Sequence, residues 1–213
     1  FVPVYWMATE DHDWAEINHL HLFGKTYTCT SAQTGAVGRF RTEDLAEMLG
    51  QLPSGIPLFK DAYQSSQTLT EAVRKYIHAL FGETGLVCID ADDARLKGLM
   101  KDVMFADVLQ QAHQKPVTET DEKLVSLGYK PQIHAREINF FYMKGDVRER
   151  IEKRNGAYHV LNTELRFSQE AMEAEIANHP EHFSPNVVLR PLYQEIILPN
   201  LAYLGGPAEV GYW

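Results

Sequence analysis

An α/β fold built on a parallel sheet, with a small α+β region inserted into it, is the architecture this 213-residue sequence predicts. Three observations carry that prediction. The apolar strand pattern Val2-Pro3-Val4-Tyr5-Trp6-Met7 runs directly into the acidic segment Ala8-Thr9-Glu10-Asp11-His12-Asp13-Trp14. Gly85-Leu86-Val87-Cys88-Ile89-Asp90 is a short apolar run with a helical pattern on each side, the texture of a strand buried on both faces of a parallel sheet. Leu201-Ala202-Tyr203-Leu204 reads as a third short strand, followed by the turn Gly205-Gly206-Pro207 and a helix start at Ala208-Glu209-Val210. The division expected is a first part of the core over 1–114, an inserted region over 115–184 and a return to the core over 185–213.

Between these strands the pattern is readable in order. A strand over 2–8 leads through the acidic loop to a short helix over 14–18, and residues 19–30 form a second strand pattern in which Leu20, Leu22 and Tyr27 mix with polar residues. Thr42-Glu43-Asp44-Leu45 reads as a Thr cap with acidic residues in the first turn, and Leu45, Met48, Leu49 and Leu52 recur at helical spacing up to Pro53. Thr68 opens a helix through Val73, Ile77 and Leu80 that Gly82 stops. Asp90-Ala91-Asp92-Asp93 closes the central strand and opens a long helix through Leu96, Met100, Met104 and Leu109.

The texture changes after Pro116. A short helix over 119–127 precedes strand patterns at 138–143, 147–152 and 158–161, with Asn155-Gly156 between the last two as a hairpin turn signal. Ser168 caps a charged helix containing Met172 and Ile176, and residues 185–198 read as a further helix.

Composition narrows the function. A hydrophobic content of 45% supports a real core, and a formal charge of −9, from 20 basic against 29 acidic residues, argues against a nucleic-acid partner, which needs a basic face. No apolar run approaches the roughly 20 residues that span a bilayer, and no secretion signal is evident, so no membrane partner and a cytoplasmic location are expected. Cys29 and Cys88 fit neither a redox pair nor a zinc knuckle and read as reduced strand residues. The chain starts at Phe and stops at Gly211-Tyr212-Trp213 inside a predicted helix start, so a piece of a longer protein is expected.

Carboxylates and an imidazole where a buried strand ends are hard to account for as packing, because α/β folds place ligand chemistry in the loops at strand C-termini. Glu10, Asp11, His12 and Asp13 are the leading candidates, with Asn18 and His19 one step further on. Asp92 and Asp93 can cap the following helix, and Asp90 is the better ligand candidate of the three. Gly205 and Gly206 form either a tight turn or an anion-friendly helix start. Gly24-Lys25-Thr26 resembles the end of a P-loop, but His19 stands where the first Gly belongs. No Gly-x-Ser-x-Gly occurs, so serine hydrolase chemistry is unsupported. His12, His19 and His21 with Asp11 and Asp13 offer metal-competent groups, yet no His-Glu-x-x-His helix is present and no metal ligand is assigned.

Long motifs at both ends carry a family resemblance. The run from Pro3-Val4-Tyr5-Trp6-Met7-Ala8-Thr9-Glu10-Asp11-His12-Asp13-Trp14 to Glu16-Ile17-Asn18-His19 resembles the BshC family, the cysteine-adding enzymes of bacillithiol synthesis. Phe183-Ser184-Pro185-Asn186-Val187-Val188-Leu189-Arg190-Pro191-Leu192-Tyr193-Gln194-Glu195 is similar to it too, as is the stretch from Leu198-Pro199-Asn200 to Gly211-Tyr212-Trp213, while 115–184 matches most loosely. The resemblance implies a Rossmann-like core with a connective-peptide-like insertion, and a ligase that joins L-cysteine to glucosaminyl malate through an amide bond. It also implies a homodimer formed through a downstream coiled coil. This chain has neither that coiled coil nor the family's upstream glycine-rich loop, so the isolated piece is expected to be inactive.

On this reading His12 is the base or phosphate contact, Asp11 and Asp13 orient its imidazole or hold the cysteine ammonium, and Glu10, Asn18 and His19 contribute to substrate binding. Arg190 grips the malate carboxylates, or else makes a structural ion pair. Asp90, Gly205, Gly206 and Glu209 are the cofactor contacts, with ATP·Mg as the cofactor compatible with such a crevice and no tightly bound metal expected. A non-catalytic nucleotide- or metabolite-binding module and a metal-dependent hydrolase are the rival readings.

Overall fold

The computed structural model describes residues 1–53 and 56–212; Trp213, the last residue of the C-terminal motif, lies outside the described residues. The chain groups into two compact units, one of residues 1–92 with 145–147, the other of 93–144 with 148–213.

In the first unit the strand that precedes the acidic loop, β1 (Val4–Met7), leads to a single helical turn, α1 (Trp14–Ile17). The expected single strand over 19–30 is instead a hairpin of β2 (His19–Leu22) and β3 (Lys25–Thr28). Its two-residue turn places Phe23 at φ 50° and Gly24 at φ 76°, and a Phe at positive φ is a signal that composition does not give. Cys88 lies in a strand and Cys29 one residue beyond β3, both free. Three helices follow, α2 (Ala46–Gln51), α3 (Pro57–Gln64) and α4 (Leu69–Phe81), before β4 (Val87–Asp90) returns to pair in parallel with β1, Val4 opposite Val87 and Met7 opposite Asp90.

Two sequence expectations fail here. Thr42 does not cap a helix: residues Thr42–Leu45 form a 3-10 turn, and the buried hydroxyl of Thr42 donates to the Ser66 carbonyl at 2.6 Å. β4 is not buried on both faces, since among the described residues the parallel sheet has only two strands, and Val87 is 46% exposed. The core of this unit lies instead under the hairpin, where Tyr27, Cys29, Phe40, Leu45, Met48 and Leu49 pack together, with Trp14 tilted on Phe40 at 5.3 Å. Thr68 caps α4 as predicted, its hydroxyl accepting from the Glu71 N–H.

In the second unit Asp93 caps α5 (Ala94–Lys97), accepting from the Arg95 N–H. The long helix expected through residue 109 is broken: a 3-10 turn (Gly98–Met100), α6 (Lys101–Met104) and a π-helical turn (Phe105–Leu109) replace its continuous course. Periodicity could not report the widened turn, because it inserts one residue without removing the apolar face. After α7 (Gln114–Ser126) come β5 (Phe140–Lys144), β6 (Val147–Arg154), β7 (Ala157–Val160), β8 (Arg166–Phe167), α8 (Gln169–Asn178) and β9 (Phe183–Pro185). The strands form one sheet in the order β8-β7-β6-β5-β9. Asn155 and Gly156 both take positive φ in the β6–β7 turn, and the Ser168 hydroxyl accepts from the Ala171 N–H at the start of α8, as the sequence predicts.

Tyr142, Tyr158, Met172, Ile176, Phe183 and Tyr193 are wholly buried and make the core of this unit. The expected helix over 185–198 shrinks to α9 (Arg190–Ile197), because residues Phe183–Pro185 join the sheet opposite 140–142. Residues 201–204 form no strand; they run irregularly into α10 (Pro207–Tyr212). Among the described residues no helix is long and apolar enough to cross a membrane.

Candidate functional site

The C-terminal ends of β1 and β4 are where the first unit concentrates its polar groups. Thr9 and Glu10 are buried, although they follow the strand directly. The Thr9 hydroxyl donates a very short hydrogen bond to Asp90 Oδ1, and the Asp92 N–H reaches both that oxygen at 3.0 Å and the Thr9 hydroxyl at 3.2 Å. Arg74 donates to the other Asp90 oxygen at 3.4 Å. Arg39 grips Asp92 with two parallel bonds of 2.6 and 3.0 Å, the fork geometry that guanidinium and carboxylate share. Asp92 therefore does not cap a helix, as its position suggested, but anchors the loop that carries Arg39.

That loop is sewn to the acidic segment through its backbone. The Gly38 N–H donates to the Thr9 carbonyl at 2.8 Å and the Val37 N–H to the Asp11 carbonyl at 2.6 Å. A Cβ on Gly38 would stand 2.5 Å from Thr9 Cβ and 2.6 Å from its carbonyl oxygen, so only glycine lets the two backbones approach this closely. The Thr70 hydroxyl on α4 closes the arrangement by donating to the Gly38 carbonyl at 2.9 Å.

On this base the tip of the loop stands in solvent. The side chains of His12 and Asp11 are 49% and 54% exposed, and Asp11 Oδ1 accepts from the His12 N–H at 2.7 Å while lying 3.5 Å from the ring Nδ1. One carboxylate thus addresses both the backbone and the imidazole of its neighbour. Asp13 precedes α1 without capping it by its side chain and is exposed. Asn18 Oδ1 lies 2.9 Å from His19 Nδ1, and His19 and His21 share a face of β2 with ring centroids 5.3 Å apart.

The structure therefore brings Glu10, Asp11, His12 and Asp13 into one loop braced from below by Asp90. Arg39, Arg74, Gly38 and Thr70, which make the brace, were missed by sequence reasoning. Gly35-Ala36-Val37-Gly38-Arg39, two glycines at close spacing before an arginine, was the signal that could have found Gly38 and Arg39; Thr70 and Arg74 lie within the α4 pattern and carry none.

The remaining predicted residues belong to the second unit. Arg190 donates to Gln194 Oε1 at 3.0 Å, and its guanidinium lies 6.0 Å from the centroid of the Tyr203 ring. The Gly206 N–H donates to the Glu209 carboxylate at 2.8 Å, and a Cβ on Gly205 would meet the Tyr203 ring at 2.5 Å. The N–H expected to meet a phosphate is thus held by the carboxylate expected to meet a sugar hydroxyl, and Asp90 is spent on Thr9, Asp92 and Arg74. Each of these groups thus has a partner within its own unit.

Comparison with known proteins agrees with the motif evidence. Residues 1–213 match the family described as bacillithiol biosynthesis BshC, N-terminal Rossmann-like domain. Three relatives, each named cysteine ligase BshC, align with the whole of this chain. They come from Cytophaga hutchinsonii at 51% identity over 213 residues, Flavobacterium johnsoniae at 46% over 223 and Salinibacter ruber at 33% over 232. The chain spans 41–42% of the length of these relatives. A parallel pair that ends in the acidic loop, and a family match over every residue, lead to one conclusion: the chain belongs to the BshC N-terminal Rossmann-like domain family.

Proposed function

We propose that this chain is the part of a bacillithiol-pathway ligase that carries the amide-forming chemistry, joining the carboxyl of L-cysteine to the amine of glucosaminyl malate. The observation that supports this most is the half-exposed His12–Asp11 pair on a loop whose base is cross-linked to β4. A general base must reach substrate and yet hold its position, and this loop does both.

In the reaction the sugar amine loses a proton to His12, and its nitrogen attacks the cysteine carboxyl carbon. The carbon–oxygen bond to the activating group of an acyl-activated cysteine then breaks, that group leaves as its anion with the bonding electron pair, and the amide forms. Asp11 accepts from the His12 backbone N–H and lies 3.5 Å from the ring Nδ1, where it orients the imidazole. Asp13 supplies a negative charge for the cysteine ammonium. Asn18 and His19 are further substrate contacts, whereas Glu10, expected beside them, is buried in the fold and does not face substrate. The cysteine carboxyl has to arrive already activated.

The test uses the full-length protein with cysteine and glucosaminyl malate, with and without ATP·Mg, and reads bacillithiol by mass spectrometry. Product formation supports the ligase, and its dependence on ATP identifies the activating reagent. Folded protein that gives no product under either condition rejects this reading in favour of a binding module.

A further inference from the structure

In the second unit a cluster of His179, Glu181 and His182 stands apart from every residue assigned above. It arises from a local rule. Residues Pro180–His182 form a 3-10 turn after α8, and such a turn eclipses the side chains at i and i+3. His179 and His182 therefore stack, with ring centroids 4.9 Å apart and planes within 22°. Pro180 is buried and presets the backbone of the turn, and the Lys97 ammonium donates to the Glu181 carbonyl at 3.4 Å. The turn is fixed before any ligand arrives.

We infer that His179, Glu181 and His182 form a binding site for a borderline divalent transition-metal ion of the zinc, cobalt or nickel class. One ligand atom from each of the three lies within 4.8 Å of the others, so side-chain rotation has to draw them in to the roughly 2.0–2.2 Å at which each would hold a common ion. Two imidazoles and a carboxylate are the donor set those ions prefer, with the fourth position left to water. An independent feature orients the set. His182 Nδ1 lies 2.6 Å from Glu175 Oε1, and the buried Tyr142 donates its hydroxyl to the same oxygen at 2.7 Å. With Nδ1–H donating to Glu175, the Nε2 lone pair of His182 is left for the metal, the second-layer carboxylate arrangement that accompanies metal-bound histidine. The bound ion would staple the end of α8 to the start of β9.

The inference is independent of the ligase reading, and its test needs no turnover. Untagged full-length protein is stripped with a chelator and titrated with Co(II), read by visible absorption, and its zinc content after dialysis is measured by mass spectrometry. One ion per chain is expected, with a tetrahedral cobalt spectrum. The double variant His179→Ala/His182→Gln should lose it, and Glu175→Gln should weaken it by roughly 10–100-fold. Wild-type protein without saturable binding, or a double variant that binds as wild type does, overturns the proposal. If the histidine variants fail to fold, as judged by circular dichroism, the single variant Glu181→Gln at a partly buried position decides: weakened Co(II) binding supports the site, and unchanged affinity overturns it.

Discussion

Two carboxylate networks, one in each unit, are built for opposite purposes. In the first unit Asp90 and Asp92 face Arg74 and Arg39 at the ends of parallel strands, with Arg39 40% and Arg74 52% exposed. In the second, Asp107 sits wholly buried in the π-helical turn and accepts from the Asn139 N–H at 2.5 Å, the Asn139 amide at 3.1 Å and the His113 ring at 3.1 Å. Burial pushes its carboxyl up, against the lowering effect of those donors. Asn139 then reaches Asn186 through the Asn186 amide at 3.1 Å, tying the turn to the strands. Carboxylates matched by solvent-exposed guanidinium groups brace a surface where a ligand can arrive. A carboxylate enclosed by amides holds a core together. Buried charge alone is therefore a poor pointer to a site, and what distinguishes the two is the kind of partner.

Substitutions can sharpen that contrast. His12→Ala should lower the rate of the full-length enzyme by about 10²–10⁴-fold, the usual worth of a general base, while its urea midpoint stays put because the side chain is half in solvent. A matching loss of stability would place His12 in the brace instead. Asp107→Ala should do the reverse. It leaves two Asn139 donors buried without an acceptor, costing roughly 2–4 kcal/mol in chemical denaturation. Gly38→Ala should cost about 1–3 kcal/mol, as overpacking does, and should lower activity as well by displacing the Thr9 backbone beneath His12. Activity unchanged in that variant would break the link between brace and loop.

The smallest effect concerns acid. Two bonds from Arg95 hold the Asp93 carboxyl down at about 2. A carboxyl lowered in the folded state contributes fully above the usual carboxylate range and loses that contribution as pH falls towards 2. Asp93→Asn should flatten this limb of the stability–pH curve by less than about 1 kcal/mol, because Arg95 is exposed.

Local chemistry was legible in the sequence, and long-range partner choice was not. Thr68, Asp93 and Ser168 cap helices as read, because a cap is decided within three residues. The Asn155-Gly156 turn followed from the need for positive φ at both positions. The acidic loop stood out because its polarity abuts an apolar strand. That Thr9 would bond Asp90, or Arg39 choose Asp92, depends on the chain bringing together residues 81 and 53 positions apart. Residues 201–204 show the converse: a strand-like composition whose segment found no strand to pair with among the described residues.

The parallel pairing of β1 with β4 has a kinetic consequence. Val4 meets Val87 only after the intervening chain has been drawn into a loop, an entropic cost that precedes the reward of the contact. The hairpin and the helices between them form from near neighbours and need no such closure. The acidic loop thus gains the Asp90–Asp92 part of its support late in folding, and on a ribosome that part is missing until residue 92 has emerged and met Arg39.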